Sequence, residues 1–398
     1  MPILATINEC TGCTACMNAC AKGAIRMEAD KEGFLQPKID TSLCVDCGLC
    51  EKSCPIVNKA ENKNAESPKT YALWHHEDRT KSSSGGAFSA FARKVLAEGG
   101  VVYGAAYNPF PVVRHIAVER VEDLEKLRGS KYLQSEMGDC YKQVKKNLID
   151  GRKVLFTGTP CQVAGLKSYL RKPYENLMLL DIACHGTPSN KVFKAYLEKL
   201  KNRLGFAEKS LEAMNYEFRR RDGWGFAPSI SPDRSSCRML YGVNNLYMKA
   251  FDKAALFRKS CYNCPFARIP RVGDCTIADF WGIGCYGDKF AHDVSKGVSL
   301  VLVNNTHGED ALSHVDGCFI EERHLDEALH LNHNVVGPSK LHPQRDAIIE
   351  AFIDPEQTLD VIDKKYKVVP HTLKSMVSEF ASRTGLYDTL KKIYNKIR

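Results

Sequence analysis

Eight of the seventeen cysteines in this 398-residue chain lie within residues 10–54, and they form two copies of one pattern. Each copy follows the spacing C-x2-C-x2-C-x3-C. The cysteines are Cys10, Cys13, Cys16 and Cys20 in the first copy, and Cys44, Cys47, Cys50 and Cys54 in the second. Three thiolates at x2 spacing can wrap one [4Fe–4S] cube within a tight loop, and the fourth cysteine starts a helix that points away. The pattern therefore predicts two four-iron clusters.

The fourth cysteine of each copy decides how the two clusters share their ligands. In chains with two such clusters, the cysteine after the x3 gap binds the other cluster. We therefore expect one cluster on Cys10, Cys13, Cys16 and Cys54, and the other on Cys44, Cys47, Cys50 and Cys20. In this respect residues 1–58 resemble a bacterial-type two-cluster ferredoxin, which implies a small α+β ferredoxin-like module.

Zinc is the alternative occupant of these cysteines. Structural zinc sites are tetrahedral and usually take their ligands as two cysteine pairs separated by a longer gap. Triplets of cysteines with a distant fourth ligand fit that geometry badly, so the spacing favours iron–sulfur clusters.

Beyond residue 58 the sequence changes character. Residues 59–70 are polar, contain Pro68 and predict a linker. Apolar runs then predict strands that alternate with helices, which favours an α/β domain with a largely parallel or mixed sheet. The predicted strands cover 70–76, 101–107, 153–158, 176–184 and 299–305, and the predicted helices cover 87–98, a segment from 159 onward, and 188–201.

The domain boundaries follow from these elements. The predicted units are a ferredoxin module (1–58), a linker (59–70), a first (71–150) and a second (151–340) part of one α/β domain, and a basic helical tail (341–398). Residues 363–398 hold nine Lys or Arg against three Asp or Glu, with Leu386, Leu390, Ile393 and Ile397 at helical spacing. Such a helix can pack on its own domain, dock a partner protein or contact an anionic membrane surface.

Two segments rich in small residues could hold an anionic cofactor. Ser82–Gly86 precedes a predicted helix, where backbone N–H groups can approach a nucleotide or flavin; a plain helix cap is the alternative. In Gly129–Tyr132, Lys131 could place positive charge beside a flavin and tune its potential, although an exposed surface lysine is the simpler interpretation. The candidate contacts are Ser83, Ser84, Gly85, Gly86, Ser130, Lys131 and Tyr132.

Two more candidate segments directly follow apolar strands. In an open α/β sheet, ligands gather beyond the carboxyl ends of the strands, so residues 157–161 and 184–186 are expected to lie close together. Cys161 begins a helix, and this position is expected to lower its thiol pKa. His185 is a candidate proton donor near a flavin, with a structural histidine as the alternative. The candidate contacts are Gly158, Thr159, Pro160, His185 and Gly186.

A third cluster would need four further thiols. Cys261 and Cys264 form a C-x2-C pair, and Cys161 and Cys184 can supply the other two ligands. A redox disulfide and the absence of any shared site are the alternatives. Cys275 and Cys285 lie nearby in the sequence, so the choice of ligands stays open.

Taken in order, these segments resemble one known family. Over about residues 70–340 the chain is similar to the coenzyme F420 hydrogenase/dehydrogenase β subunit, to which a ferredoxin module is often fused. The segments are SSSGGAFSA, RGSKYLQS, LFTGTPCQVAGLK, DIACHGTPS, FRRRDGWG, CYNCPFARIPRVGD and ADFWGIG. The resemblance implies FAD, an iron–sulfur cluster near it, and electron exchange with a deazaflavin or another hydride-handling substrate. It also implies that the flavin or the nearby cluster is surrounded by Ser84–Gly86, Ser130–Tyr132, Thr157–Cys161 and Cys184–Gly186. Fused relatives in bacteria lie beside genes for polysaccharide pyruvyl transfer, which leaves the substrate open.

Composition limits the other function classes. The net charge of +9 does not indicate nucleic-acid binding, because bound clusters and a dinucleotide flavin would offset it and no basic–aromatic motif stands out. Arg219, Arg220 and Arg221 could face an acidic substrate, or form a solvated loop. With no long apolar run and no signal-peptide pattern, the chain is expected to be soluble and cytoplasmic.

Two functional hypotheses remain. Clusters carry single electrons and a flavin handles one or two, so the leading hypothesis is an iron–sulfur flavoenzyme acting on a small substrate in either direction. His185 and Lys131 are its candidate catalytic residues. The rival is a non-catalytic subunit that relays electrons to a partner protein.

Overall fold

The computed structural model describes residues 1–59, 62–219, 224, 228–233 and 237–369. The N-terminal module is built around a two-stranded antiparallel hairpin, in which Ile25 pairs with Ile39 and Ala29 with Leu35. Each of its two short helices begins directly after a residue in the left-handed region, Thr14 (φ 64°) and Gly48 (φ 68°). Its elements are α1 (Ala15–Ala19), β1 (Ile25–Ala29), β2 (Leu35–Ile39) and α2 (Leu49–Lys52). The predicted ferredoxin-type module is thus α+β.

An eight-stranded mixed sheet forms the centre of the rest of the chain. Its strands are β3 (Lys69–His75), β4 (Val101–Tyr107), β5 (Val113–Val118), β6 (Val154–Gly158), β7 (Leu177–Ile182), β11 (Cys275–Asp279), β12 (Ser299–Val303) and β13 (Cys318–Arg323). The spatial order is β13-β3-β12-β11-β7-β6-β4-β5. The four central strands β11, β7, β6 and β4 run parallel, and the outer strands are antiparallel to their neighbours. The predicted mixed sheet is confirmed.

Helices cover both faces of this sheet, which explains why its central strands are continuous apolar runs. The crossover helices are α3 (Ala87–Ala97), α4 (Cys140–Ile149), α5 (Pro160–Leu170) and α6 (Asn190–Leu204). Along β4, Val101 and Tyr103 pack toward the face of α4 and α5, whereas Val102 packs toward the face of α3. The alternation of side chains along each strand therefore builds two separate cores.

The remaining elements extend this domain. A small antiparallel sheet comprises β8 (Asn215–Glu217), β9 (Ser229–Ser231) and β10 (Arg238–Met239). The later helices are α7 (Leu246–Asp252), α8 (Thr306–Ser313), α9 (Leu325–Leu331), α10 (His333–Val336), α11 (Arg345–Ile353) and α12 (Leu359–Tyr366). Within the segment predicted as a basic tail, Ile348, Phe352 and Ile362 are buried in the same apolar cluster as α6. Residues 370–398, with the four apolar positions 386–397, lie outside the described residues.

The predicted linker is bound to the α/β domain where the structure describes it. The side-chain amides of Asn62 and Asn64 donate to backbone carbonyls of residues 270–273, at 2.8 to 3.3 Å. These bonds fix the polar segment against the chain that leads into β11.

Candidate functional site

Cysteines from both copies of the N-terminal pattern line one cavity. This front cavity is lined by four thiols, Cys10, Cys13, Cys16 and Cys54, together with apolar residues of the hairpin such as Met27 and Pro37. The grouping joins three cysteines of the first copy with the last cysteine of the second, as the exchanged-ligand assignment requires. The donor set and its apolar walls fit a [4Fe–4S] cluster.

The loop around the front cavity is shaped by left-handed residues. Gly12 has φ 68°, and a Cβ there would lie 2.6 Å from Gln134 Nε2 and 2.7 Å from Arg258 Nη1. Its backbone N–H donates to Cys10 Sγ at 3.4 Å. Gly12 therefore allows the loop to turn while the α/β domain packs directly against it.

The other four cysteines of the module form what we term the distal set. Its members are Cys20, Cys44, Cys47 and Cys50. Burial raises the pKa of Cys50, and the nearby Cys20 thiol adds to this shift. Cys20 Sγ accepts a hydrogen bond from the backbone N–H of Ala24 at 3.3 Å. Cys47 is exposed, so this end of the module faces solvent.

A second cavity lies at the carboxyl ends of β6 and β7. Four thiols line this rear cavity: Cys161, Cys184, Cys261 and Cys264. Cys161 is in the first turn of α5, just after β6, and Cys184 follows β7. The other two come from the short 3₁₀ segment Lys259–Asn263 and the residue after it. Cys275 and Cys285, which the sequence left as alternatives, lie in β11 and on the surface, outside this lining.

The thiols of both cavities are strongly desolvated. Burial raises the pKa of Cys13 to about 12, that of Cys161 to about 12 and that of Cys264 to about 11, and neighbouring thiols add to each shift. The expectation that the helix start lowers the pKa of Cys161 is therefore wrong, because desolvation outweighs the helix dipole. A bound metal would stabilise the thiolate form here, since metal ligation requires deprotonated cysteine.

Each cavity offers four thiols, which is the number of cysteine ligands that a [4Fe–4S] cluster takes. Among the described residues, no three Cys, His, Asp or Glu side chains are grouped closely enough to hold one ion. In a cubane each thiolate binds a different iron atom, so its ligands surround a volume rather than a point.

The two cavities are adjacent, as shown by one residue that lines both. Thr11, in the front loop, is part of the lining of the front cavity and of the rear cavity. Gly165 of α5 supplies a second close approach: a Cβ there would lie 3.0 Å from Cys13 Sγ. The N-terminal module is thus seated with one cysteine cavity directly against the other.

His185 and Gly186 also line the rear cavity. His185 Nδ1 lies 2.8 Å from Asn334 Oδ1, and its ring packs near Phe251 and Phe257. Gly186 has φ 139°, and a Cβ there would come within 2.2 Å of the Phe257 ring. These contacts fix the strap between β7 and α6 across the cavity wall.

The two small-residue segments expected to hold a flavin, 82–86 and 129–132, contact each other but lie outside the rear cavity's lining. Ser83 Oγ accepts from the Ser130 backbone N–H at 3.0 Å. Lys131 Nζ donates to the carbonyls of residues 127–129 at 2.9 to 3.1 Å. A Cβ on Gly85 would lie 2.2 Å from Leu73 O, so this glycine is required by the packing of its loop on β3. These contacts of Lys131 are to backbone carbonyls of its own loop, and its catalytic role stays a prediction.

The other residues predicted to contact a flavin also form contacts within the protein. Tyr132 O accepts from Tyr247 at 2.8 Å, and Thr157 O contacts His115 Nε2 at 2.9 Å. Thr159 caps α5 through a capping box with Gln162, and Pro160 lines the rear cavity. The remaining predicted contacts are Ser84, which donates to Val298 O, Gly86, which precedes α3 in the left-handed region, and Gly158, at the end of β6.

Arg219 is not available to an acidic substrate. It is 4% exposed and forms a two-pronged ion pair with Asp279, at 2.5 and 3.1 Å. Asp279 Oδ1 also accepts from Trp224 Nε1 at 2.7 Å. The expectation for Arg219 is therefore wrong, and Arg220 and Arg221 lie outside the described residues.

Several residues that hold the module in place carried no recognisable signal in the sequence. Arg258 is 1% exposed and donates to Cys10 O at 2.5 Å and to Leu35 O at 2.8 Å. Arg345 pairs with Glu32 at 2.6 Å. The guanidinium groups of Arg258 and Arg345 both lie near the ring of Phe34, at 5.5 and 5.8 Å. Their partners are more than 200 residues away in sequence, so spacing does not reveal them.

The N-terminal module and part of the α/β domain each match a known family model. Residues 9–57 match the family model of a 4Fe–4S dicluster domain. Residues 151–328 match the family model of the C terminus of the coenzyme F420 hydrogenase/dehydrogenase β subunit. The chain thus joins a dicluster ferredoxin-type module to a region similar to that β subunit.

Similar proteins come from archaea. The coenzyme F420-dependent sulfite reductase of Methanocaldococcus jannaschii is 26% identical over 317 residues, covering 77% of this chain and 46% of that protein. One component of the F420H2 dehydrogenase of Methanosarcina mazei is 21% identical over 182 residues, covering 43% of this chain and 51% of that component. The chain spans about half the length of each. These relatives do not support the bacterial, pyruvyl-transfer association expected from the sequence.

A solved structure of the F420-reducing [NiFe] hydrogenase complex from Methanosarcina barkeri contains a chain with 16% identity to this one. The similarity covers 77% of this chain and 94% of that chain, with a TM-score of 0.46. Among the described residues, no helix has the length and apolar character needed to cross a membrane.

Proposed function

We propose that this protein is an iron–sulfur oxidoreductase that exchanges electrons between its ferredoxin-type module and a redox site in the α/β domain. The observation that carries the proposal is the pair of adjoining cavities, each lined by four cysteines. Their shared lining residue, Thr11, places two potential clusters next to each other. With the distal set, the chain offers ligands for three [4Fe–4S] clusters, and such clusters supply one-electron transfer.

The protein's own residues position these ligands. The strand ends of β6 and β7 supply Cys161 and Cys184, and the turn at Gly186 closes the wall beside them. Hydroxyl groups already contact two of the rear thiols: Thr159 Oγ1 lies 3.2 Å from Cys161 Sγ, and Thr187 Oγ1 lies 3.9 Å from Cys261 Sγ. The rear cavity's lining is mostly apolar, and a low local dielectric strengthens each of these interactions.

We also propose that the protein binds a flavin, in the form of FAD as the family resemblance implies. This part of the proposal is argued from the sequence and not from the cavities. The ordered sequence segments and the match of residues 151–328 support it. The contacts of Ser83, Ser84 and Lys131 are satisfied within the protein and do not require a cofactor. The substrate class that the relatives' names suggest is the deazaflavin coenzyme F420 or another hydride carrier.

Iron counting tests the cluster assignment. Protein purified without oxygen is expected to hold about twelve irons, four for each [4Fe–4S] cluster, and to release a flavin on denaturation. Replacing two rear thiols together, Cys184→Ser with Cys261→Ser, should leave about eight irons. Cys285→Ser is the matched control, because this exposed cysteine lies outside both cavities. Fewer than eight irons in the native protein would refute the proposal, and an unchanged count in the double variant would refute the third cluster.

A second candidate function, a relay protein that docks a redox partner, is favoured by the surface around the distal set. Met1, Ile3 and Val45 are 76%, 75% and 61% exposed. The N-terminal amine pairs with Asp46 at 3.1 Å, so these apolar side chains lie beside the loop that carries the exposed Cys47. If the reduced protein reduces no small acceptor by itself but does so when a partner protein is added, the relay function is correct.

A further inference from the structure

Thr11 lies where the two four-cysteine cavities meet. It is 7% exposed and lines both cavities. Its Oγ1 is buried and has no hydrogen-bond partner among the described residues. A buried hydroxyl without a partner costs free energy, and an apolar side chain of the same shape would avoid that cost. The hydroxyl at this position therefore needs an acceptor within the cavities.

The backbone of Thr11 is held on both sides. Gln134 Nε2 donates to Thr11 O at 2.9 Å, and Arg258 Nε donates to Cys10 O at 2.5 Å. On the other side, Gly12 leaves no room for even a methyl group against Gln134 and Arg258. Because these bonds hold the segment between the module and the α/β domain, the backbone of Thr11 cannot leave the junction without breaking them.

Four cysteine sulfur atoms line each cavity and are candidate acceptors for the Thr11 hydroxyl. Elsewhere in the rear cavity, threonine hydroxyls already contact ligand thiols, as Thr159 does with Cys161 at 3.2 Å. Thr11 Oγ1 has no such partner in the described part of the protein, so its proton is available to a group held in either cavity. Hydrogen bonds to cluster sulfur atoms are among the factors that set a cluster's reduction potential.

We propose that the Thr11 hydroxyl donates a hydrogen bond to a sulfur of a cluster bound in one of the two adjoining cavities, and so sets the difference in potential between those two clusters. The inference rests on the proposed function, because it needs clusters in both cavities. A donor stabilises the more negatively charged, reduced state of the cluster it contacts. A hydroxyl has one proton, so it favours one cluster over the other. Thr11 thus influences how an electron is distributed between the two adjoining clusters.

The test is a redox titration of the intact protein, followed by electron paramagnetic resonance under anaerobic conditions. Thr11→Val keeps the shape of the side chain and removes the donor, whereas Thr11→Ser keeps the donor. In the valine variant, one of the two adjoining clusters should fall in potential. The equilibrium constant between the two should change about tenfold, which corresponds to 59 mV for one electron. The serine variant should restore the native value, and the cluster on the distal set should not shift.

Thr70→Val provides the matched control. Thr70 is also a buried threonine, 2% exposed, but it lies in β3 and donates to Pro68 O at 3.3 Å. Its replacement should leave all potentials unchanged. If Thr11→Val does not retain its iron, Thr11→Ala removes the donor with a smaller side chain and takes its place.

The outcomes separate this inference from the proposed function. Native iron content with unchanged potentials in Thr11→Val or Thr11→Ala overturns the hydrogen bond and leaves the oxidoreductase proposal intact. A shift in the distal cluster alone also overturns it. Absence of clusters from the native protein would refute the proposed function itself.

Discussion

His115 shows how a single buried side chain is fixed in one protonation state. Its Nε2 lies 2.9 Å from the carbonyl oxygen of Thr157, which can only accept, so Nε2 carries the proton. Nδ1 then accepts from the Ser135 hydroxyl at 2.7 Å. Burial lowers the pKa of His115 from 6.5 to about 4, because a charged imidazolium would lose its hydration. The ring is therefore a neutral support for the end of β6, next to the rear cavity.

This lowered pKa predicts a definite pH dependence of stability. Between pH 6.5 and 4 the unfolded chain binds a proton at this histidine and the folded chain does not, so the contribution of His115 is present above pH 6.5 and is lost as the pH falls. From about pH 7 to about pH 5.5 the loss amounts to about 1 kcal/mol. His115→Gln should remove that part of the pH slope in the unfolding free energy, measured by thermal unfolding under anaerobic conditions.

His307 provides a control whose effect on the pH dependence of stability has the opposite sign. Its hydrogen bond to Asp274 raises the pKa of His307, so its contribution is present at low pH and is lost as the pH rises through the folded pKa. His307→Gln should therefore make the loss of stability on acidification steeper. An unchanged slope in His115→Gln would contradict the assignment of a buried neutral ring.

At the scale of elements, the packing of α5 on α1 decides how close the two cavities come. A Cβ on Gly165 would lie 2.9 Å from Cys13 Cβ and 2.8 Å from Tyr141 Oη. Tyr141 is fully buried and donates to Gln162 O at 2.7 Å, so it cannot move aside. The glycine is needed here despite its cost to the helix.

Gly165→Ala should therefore impair the front cluster. Alanine favours the helix by about 1 kcal/mol, yet its methyl group pushes against the Cys13 ligand. We expect a lower iron content and loss of the front cluster's paramagnetic signal, with the rear and distal clusters retained. Gly337→Ala, where no atom lies within 4 Å of the added carbon, should keep its full iron content. Full front-cluster occupancy in Gly165→Ala would show that the helices can separate without harm.

The elements also show what sequence patterns can and cannot predict. Strands such as β4 and β12 are continuous apolar runs, and they were predicted within two residues of their ends. β5, β11 and β13 were missed because polar side chains interrupt them, as in CFIEER of β13. The cysteines of the distal set and the front cavity follow a local spacing rule, so they could be proposed from sequence. Thr11 and Gln134 acquire their roles only through contacts across more than 100 residues, which no local pattern encodes.

At the scale of the whole molecule, Arg345 helps to join the ferredoxin-type module to the α/β domain. Arg345 is 2% exposed, pairs with Glu32 of the hairpin loop at 2.6 Å and donates to Phe257 O at 2.6 and 2.9 Å. Phe257 in turn packs against Gly186 of the rear cavity wall. One guanidinium thus connects the hairpin of the first module to the wall of the rear cavity.

Replacing this arginine should loosen the docking of the modules. Arg345→Met keeps most of the apolar length but leaves the Glu32 carboxylate without its buried partner, which typically costs about 3–5 kcal/mol. We expect faster amide hydrogen exchange in residues 25–39 and around 257, with the central strands unchanged. Lys191→Met is the control, because the bond from Lys191 to Lys31 O is exposed. If exchange in the hairpin stayed at the native rate, other contacts such as those of Arg258, Gln134 and Ser189 would hold the module, and Arg345 would serve the α/β domain only.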